Sequence, residues 1–177
     1  MDEHTARIRP AVAETWRLED DGAIPNNERL PLLLYRRAVV LPARDPASVF
    51  EALFTANGWP AAWRNGVFPF HHFHSTAHEA LGVFGGSATV CFGGEAGVEV
   101  TISAGDVVVI PAGVGHKAVG ASADLGIVGA YPSGTDPDLC RGHSRERPRS
   151  LDAITQVAIP DRDPLYGVGG HLRRHWS

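Results

Sequence analysis

Apolar and polar residues alternate in short stretches through the middle of this chain, and glycine-rich turns separate the stretches. Residues 88–92 alternate in this way, residues 98–102 repeat the pattern, and a β-branched run follows at 107–110. A period of two is typical of half-buried strands, and several short strands between turns are typical of a β-sandwich or barrel. The predicted strands occupy residues 14–18, 31–35, 81–84, 88–92, 98–102, 107–110 and 125–131. The pattern therefore predicts a fold class that is mainly all-β.

One segment has helical spacing instead. Apolar residues recur at helical intervals between Val49 and Phe54. They follow Asp45, an N-capping residue type, and Pro46, which the first turn of a helix tolerates. Asn57-Gly58 supplies a stop signal. We expect one short helix packed against the outside of the barrel.

The sequence contains no repeat, no low-complexity linker and no shift in composition that would divide the chain. We expect a single domain in three parts: strands and a helix at 1–65 that pack on the barrel, a barrel core at 66–132, and a C-terminal arm at 133–177. Because the last forty residues are rich in Pro and Arg, we predict that the arm is extended and packs back on the barrel.

The net charge of the chain restricts which classes of binding partner are expected. The 177-residue chain has a formal net charge of −4 and a pI near 6.1, which favours neither nucleic acid nor an anionic membrane as partner. A basic cluster at Arg141, Arg145, Arg147 and Arg149 is interrupted by Glu146, so we interpret it as a solvated loop. No stretch approaches the roughly 20 apolar residues that span a bilayer.

The N-terminal ten residues lack the apolar core of a signal peptide. The chain has two cysteines, Cys91 and Cys140, which are too few for a disulfide framework. We expect a cytoplasmic protein with two free thiols.

Three histidines and one glutamate give the strongest chemical signal. His72 and His74 stand two apart on a predicted strand, so both imidazoles face the same side. Glu79 follows after a short turn, and His116 follows the rigid turn at 111–113. Such a set leaves about two of six octahedral positions open, unlike a closed structural zinc site. We predict an open site for one divalent ion of Fe, Mn, Ni or Zn, among which the ligand types do not choose.

His78 is the main ambiguity in this set. It neighbours Glu79, and alternation along a strand lets only one of the two face inward. His78 is therefore an alternative ligand or a candidate acid–base residue beside the metal. Tyr131 is a second candidate catalytic residue, provided that its strand lines the mouth of the barrel. His71, next to His72, is expected to face outward.

Aromatic residues crowd the entry to this region. They form either a wall of a substrate pocket or part of the core between helix and barrel, and the core is favoured because aromatic area contributes most there. The residues concerned are Trp59, Trp63, Phe68, Phe70 and Phe73.

The segments at 66–86 and 105–116 resemble the two signature motifs of the cupin superfamily. The resemblance implies a small antiparallel barrel of jelly-roll type with a metal at its wider end, and it favours Glu79 over His78. The second motif usually ends in Asn, where this chain has Gly120. The residues that match the family's metal ligands are His72, His74, Glu79 and His116.

The whole chain further resembles the bacterial single-domain YjlB-like cupins. The segments that carry this resemblance are 21–27, 30–35, 63–66, 78–83, 128–132 and 163–167. It secures fold and metal site and leaves the substrate open.

We expect a metal-dependent enzyme that acts on a small polar molecule, with an oxygenase slightly favoured over an isomerase or hydrolase. The alternative is a non-catalytic cupin that binds a small ligand. The strand at 14–18 offers an exposed sheet edge, and with the cupin resemblance it leads us to expect a homodimer.

Overall fold

The computed structural model describes residues 7–177, so His4 and the rest of the charged N-terminal stretch at 1–6 lie outside the described residues. Antiparallel strands are the main secondary structure of the described chain, as predicted. The strands are β1 Ala13–Leu18, β2 Asn27–Tyr35, β3 Ala61–Asn65, β4 Glu79–Gly85, β5 Ser87–Phe92, β6 Val98–Ser103, β7 Val107–Ile110, β8 His116–Ala121 and β9 Gly126–Ala130. The helices are α1 Pro46–Ala56, α2 Arg147–Gln156 and α3 Leu172–His175.

The strands form two antiparallel sheets. The larger has the order β1-β2-β7-β4-β9-β3, and the smaller has the order β6-β5-β8. No strand pairing in the described part of the chain joins the two sheets into a closed barrel. The architecture is of the cupin type, with two antiparallel sheets that face each other. The alternation pattern did not predict two of the strands, β3 and β8.

Strand alternation separates two cores on either side of β4. Leu81 and Val83 point into the space between the sheets, where they pack with other buried apolar residues. Ala80 points the other way, toward a second core that includes α1. Gly82 shares that outer face, and a Cβ placed on it would lie 2.3 Å from the ring of Phe50. Helix α1 therefore packs against the sheet at a position that requires glycine.

Helix α1 confirms the predicted helix and its apolar stripe. Val49, Phe50 and Phe54 are buried, and Asn57 caps the C-terminus before Gly58 at φ +82°. The N-terminus differs from the expectation. Asp45 takes a left-handed conformation, its side chain caps nothing, and its Oδ1 accepts a hydrogen bond from Arg64 Nη1 at 3.0 Å. The Asp45 side chain therefore forms an ion pair with Arg64 on β3 instead of capping the helix.

The C-terminal arm does pack back on the sheets, but the prediction that it is extended is wrong for residues 147–156, which form α2. Pro148 stands in the first turn of this helix, where its missing N–H is harmless. At the end of the chain Trp176 is fully buried, and its Nε1 donates to the carbonyl of Pro31 at 2.8 Å. None of the helices in the described part of the chain is long and apolar enough to cross a membrane.

One buried carboxylate fastens this arm to the larger sheet. Asp163 is 1% exposed and accepts the phenolic hydrogen of Tyr35 at 2.5 Å. It also accepts backbone N–H groups from Leu165, Tyr166 and Leu172 at 2.9, 3.0 and 3.1 Å. A single side chain thus satisfies four donors that burial has removed from water.

We predict that Asp163→Ala lowers the free energy of unfolding by about 3 kcal/mol or more, because each buried donor left without an acceptor costs about 1–3 kcal/mol. Urea unfolding would measure the change. Asp161→Ala, at a neighbouring exposed position, is the control and should stay within about 0.5 kcal/mol of the parent. Equal midpoints for the two variants would contradict the role assigned to Asp163.

Candidate metal centre

His72, His74 and His116 converge at one end of the space between the sheets. One ring nitrogen from each lies within 4.8 Å of the other two. His72 and His116 are held together by paired backbone hydrogen bonds of 3.2 and 2.9 Å. His72 and His74 lie on an extended segment with isolated bridges rather than on a strand of either sheet, yet the spacing of two still brings both imidazoles to the same side, as predicted.

Each of the three imidazoles is oriented by a backbone carbonyl. His72 Nδ1 lies 3.1 Å from the oxygen of Phe70, and His116 Nδ1 lies 3.2 Å from the oxygen of Val114. His74 Nδ1 makes a short contact with the oxygen of Asp138. A carbonyl oxygen only accepts, so each Nδ1 carries a hydrogen, and each ring in its neutral form has a bare Nε2 lone pair. This arrangement is typical of metal-binding histidines.

Glu79 faces the same point. It begins β4, shares the inward face with Leu81, and is 2% exposed. Its Oε2 lies 3.1 Å from His116 Nε2 and 3.4 Å from His74 Nε2. This buried oxygen has no hydrogen-bond partner among the described residues. Carboxylate and imidazole lone pairs so close together repel unless a proton or a metal ion lies between them, so the four side chains fit a positive charge at this point.

The pKa shifts of Glu79 and His74 also indicate that this cluster favours positive charge beside the carboxylate. Burial acts to raise the pKa of Glu79, but the imidazoles of His74 and His116 hold it well below its usual range. Burial acts to lower the pKa of His74, and the Glu79 carboxylate raises it above its usual value. Burial, with the neighbouring His116, lowers the pKa of His72 to about 3, which keeps this ring neutral. The three histidines can therefore hold a metal ion.

A cavity of about 320 Å³ opens above this cluster. Its wall is largely apolar, and Trp63 and Phe68 belong to it instead of to the core between helix and sheet. Trp59 is buried in the core that includes α1, as expected, whereas Phe73 is buried in a separate cluster with Ile24 and Cys140. The described lining residues are Trp63, Asn65, Gly66, Val67, Phe68, Pro69, His72, His74, Glu79, Leu81, His116 and Tyr131.

Tyr131 lines this cavity at the end of β9. The indole Nε1 of Trp63 donates to its phenolic oxygen at 3.1 Å, and its ring lies edge-on to His74 at 5.4 Å. Burial and the Glu79 carboxylate raise the pKa of Tyr131 well above its usual value. The phenol thus stays protonated, and its O–H remains available as a donor toward the cavity.

His78 is not brought to the cavity. It lies on the opposite face from Glu79, its ring centroid is 4.6 Å from the ring of Trp176, and its Nδ1 accepts the N–H of Ala112 at 2.8 Å. Burial lowers its pKa to about 4, so the ring is neutral. His71 also faces away, with Nε2 3.1 Å from a carboxylate oxygen of Glu95.

Two groups of supporting residues were not found from the sequence. Asp138, whose carbonyl orients His74, also accepts N–H and O–H from Ser75. Asn26 accepts the N–H of Gly115 at 3.1 Å, and Asn27 donates to the carbonyl of Ala112 at 3.0 Å. Adjacent asparagines before a strand were a usable signal, because buried amides need partners and the turn before His116 has backbone groups to offer. Nothing local marks Asp138.

Gly120, which stands where the second cupin motif usually has Asn, lies away from the candidate metal centre. Gly120 is exposed on β8 opposite Thr89, and a Cβ placed on it would meet nothing within 4 Å. The position does not line the cavity, so the glycine leaves the candidate ligands untouched.

Comparison with known proteins agrees with this description. The cupin domain family model matches residues 63–125. The YjlB protein of Bacillus subtilis is 39% identical over 163 residues, which cover 92% of this chain and 96% of that protein. The chain belongs to the cupin superfamily and, within it, to the YjlB-like group.

Similarity to solved structures is weaker. A DUF861 family protein from Thermotoga maritima is 21% identical, with a TM-score of 0.32 over 50% of this chain and 92% of that chain. RmlC from Streptococcus suis, solved in complex with dTDP-D-xylose, is 14% identical, with a TM-score of 0.37 over 81% of this chain and 76% of that chain.

We predict that His78→Ala lowers the melting temperature by about 5–10 °C, because it leaves a void beside Trp176 and an unpaired N–H at Ala112. His78→Asn supplies an alternative acceptor and should lose less. Differential scanning calorimetry would compare both with the exposed-site control His143→Ala, which should melt with the parent. A melting temperature for His78→Ala equal to that of the control would contradict this structural role.

Proposed function

We propose that the protein is a metal-dependent enzyme that acts on a small polar molecule in the cavity, with one divalent ion held by His72, His74, Glu79 and His116. The observation that carries the proposal is the pairing of a buried, unpartnered Glu79 oxygen with imidazoles whose Nδ1 atoms are already engaged. A purely structural core would have no reason to bury a carboxylate against acceptors. Three nitrogens and one oxygen suit Fe, Mn, Ni and Zn.

The cavity favours an oxygenase over an isomerase or hydrolase. Outside the four candidate ligands, Tyr131 is the one titratable group among the described lining residues. Because its pKa is raised, it donates a hydrogen bond at neutral pH and does not act as a base. Isomerisation depends on a base that moves a substrate proton, and hydrolysis would have to take its nucleophile from metal-bound water. An iron(II) ion held by His72, His74, Glu79 and His116 would supply open coordination positions for a chelating substrate and dioxygen.

The residues of the chain then have separate tasks. Glu79 and the three histidines hold the ion and its charge, and their backbone partners fix their directions. The Tyr131 hydroxyl orients a polar atom of the substrate. Trp63 and Phe68 exclude water from one side, which strengthens the electrostatic interactions inside. A cupin that only binds its ligand remains the alternative.

Metal analysis of protein purified without an affinity tag or chelator tests the proposal. We expect about one Fe or Mn per chain, lost in His72→Ala, His74→Ala, His116→Ala and Glu79→Gln, but kept in the exposed-site control His143→Ala. Mass spectrometry would quantify the metal, and circular dichroism would check folding of each variant. Zn or Ni would move the proposal toward isomerase or hydrolase chemistry. No metal after purification, and none taken up on reconstitution, would overturn the enzyme proposal.

We also propose a homodimer formed through the free edge of β1. Within the described residues β1 pairs with β2 alone, and Val12, directly before it, is 84% exposed. An edge with unpaired N–H and C=O groups is a template for pairing with another chain. The buried free thiols Cys91 and Cys140 support a cytoplasmic location, where thiols stay reduced.

Size-exclusion chromatography with light scattering at micromolar concentration should give a dimer of about twice 18.9 kDa. Val12→Lys should shift the protein toward the monomer, because a charged side chain protects an edge from pairing. Val168→Lys, at an exposed position after the β strands, is the control and should leave the dimer intact. A monomeric parent would contradict the homodimer.

A further inference from the structure

The cavity has two chemically different parts. Its floor carries the candidate ligands and Tyr131, all of which meet a ligand through polar atoms. Its wall is mainly apolar and carries no charge: Trp63, Val67, Phe68 and Pro69 form most of it, and the Oδ1 of the neighbouring Asn65 accepts the N–H of Gly66. A molecule that fits both parts has polar atoms at one end and an apolar body at the other.

No lysine or arginine is among the described lining residues of this cavity. Nearby cationic side chains have other partners. Arg64 points to the outer face, where it pairs with Glu51 at 2.6 Å. Arg141 lies 3.8 Å from the centre of the Phe70 ring, and Phe70 is not part of the lining. The cavity therefore has no side-chain cation that could neutralise an anionic group away from the floor.

The net charge of the metal site limits the charge of the molecule that it can bind. Three neutral imidazoles, one carboxylate and a divalent ion together carry a charge of +1. A singly charged chelator makes the site neutral, whereas a dianion leaves a net negative charge among apolar residues, which is costly. The same counting disfavours phosphate esters and dicarboxylates.

The wall also favours a flat group. The Trp63 indole lies directly on the backbone of β9, since a Cβ added to Gly129 would come within 2.0 Å of it. Its Nε1 is fixed by the hydroxyl of Tyr131. Phe68 stacks on Phe70 with centroids 4.9 Å apart and an interplanar angle of 11°. Rings held in place before a ligand arrives give up little entropy on binding it.

We propose that this cavity selects singly charged oxygen chelators that carry a flat apolar group, such as a hydroxamate, enol or phenol with an adjacent carbonyl oxygen, and rejects dianions. The proposal rests on the proposed metal site and names the substrate class for it. Phe68 and Val67 are its specificity-determining positions, because both belong to the wall and neither is a candidate ligand.

Cobalt(II)-loaded protein provides the test, since visible absorption reports ligand binding without any turnover. The probes are benzohydroxamate, acetohydroxamate and oxalate, which separate the flat group from the charge. The parent should bind benzohydroxamate at least about tenfold more tightly than acetohydroxamate. Phe68→Ala should reduce this ratio to about two or less, while the exposed control Val168→Ala should keep it.

Two variants at Val67 test the charge. Val67→Arg should raise the affinity for oxalate relative to benzohydroxamate by about tenfold or more, since it supplies the missing cation. Val67→Gln adds length without charge and should leave the relative affinities near those of the parent. An unchanged relative affinity in Val67→Arg, or a parent that binds both hydroxamates equally, would overturn the selectivity while leaving the metal site standing. Failure of the parent to take up cobalt would overturn both.

Discussion

The buried carboxylate of Glu79, set against two imidazoles, is the constraint on which the rest of the site depends. A carboxylate that is 2% exposed costs free energy unless positive charge compensates it. Because the Nδ1 atoms of His72 and His116 already contact backbone carbonyls, the bare Nε2 atoms remain directed at the centre. A metal ion at this centre would satisfy the carboxylate and the imidazoles together. Glu79 and the histidines around it therefore require a positive charge at this point of the fold.

Segments that are distant in the sequence fix the directions of these side chains. Asn26 and Asn27 hold the turn before His116 through its backbone, and Asp138 holds His74 through a carbonyl. His78 contacts that same turn at Ala112. These contacts come from several parts of the chain. A ligating side chain that such contacts already restrict loses less entropy when it binds a metal ion. Asp138 in the arm and Asn26 and Asn27 near the start of β2 therefore help to position the site.

Sequence reasoning succeeded where one periodicity decides the outcome. Alternation predicts that Glu79 and His78 face opposite sides, as they do, and the cupin resemblance favoured Glu79 as the inward residue. It failed where the outcome depends on contacts between distant segments. Trp63 lines the cavity because glycine at 129 leaves room for its indole, which no local pattern reveals. In the arm, Pro148 and the arginines suggested an extended chain, although proline in a first turn is compatible with the helix observed there.

The proposed reaction class and the proposed ligand class rest on the same short set of lining residues. Outside the ligand cluster, the one titratable group among the described lining residues is a protonated tyrosine, which gives the cavity little means of moving protons to and from a substrate. It can still orient a substrate, exclude water and concentrate an apolar gas such as dioxygen beside an apolar wall. Among the described lining residues, the lack of a base and of a cation supports both proposals: the ligand would be selected by shape and charge neutrality, and dioxygen would supply the driving force for the chemistry.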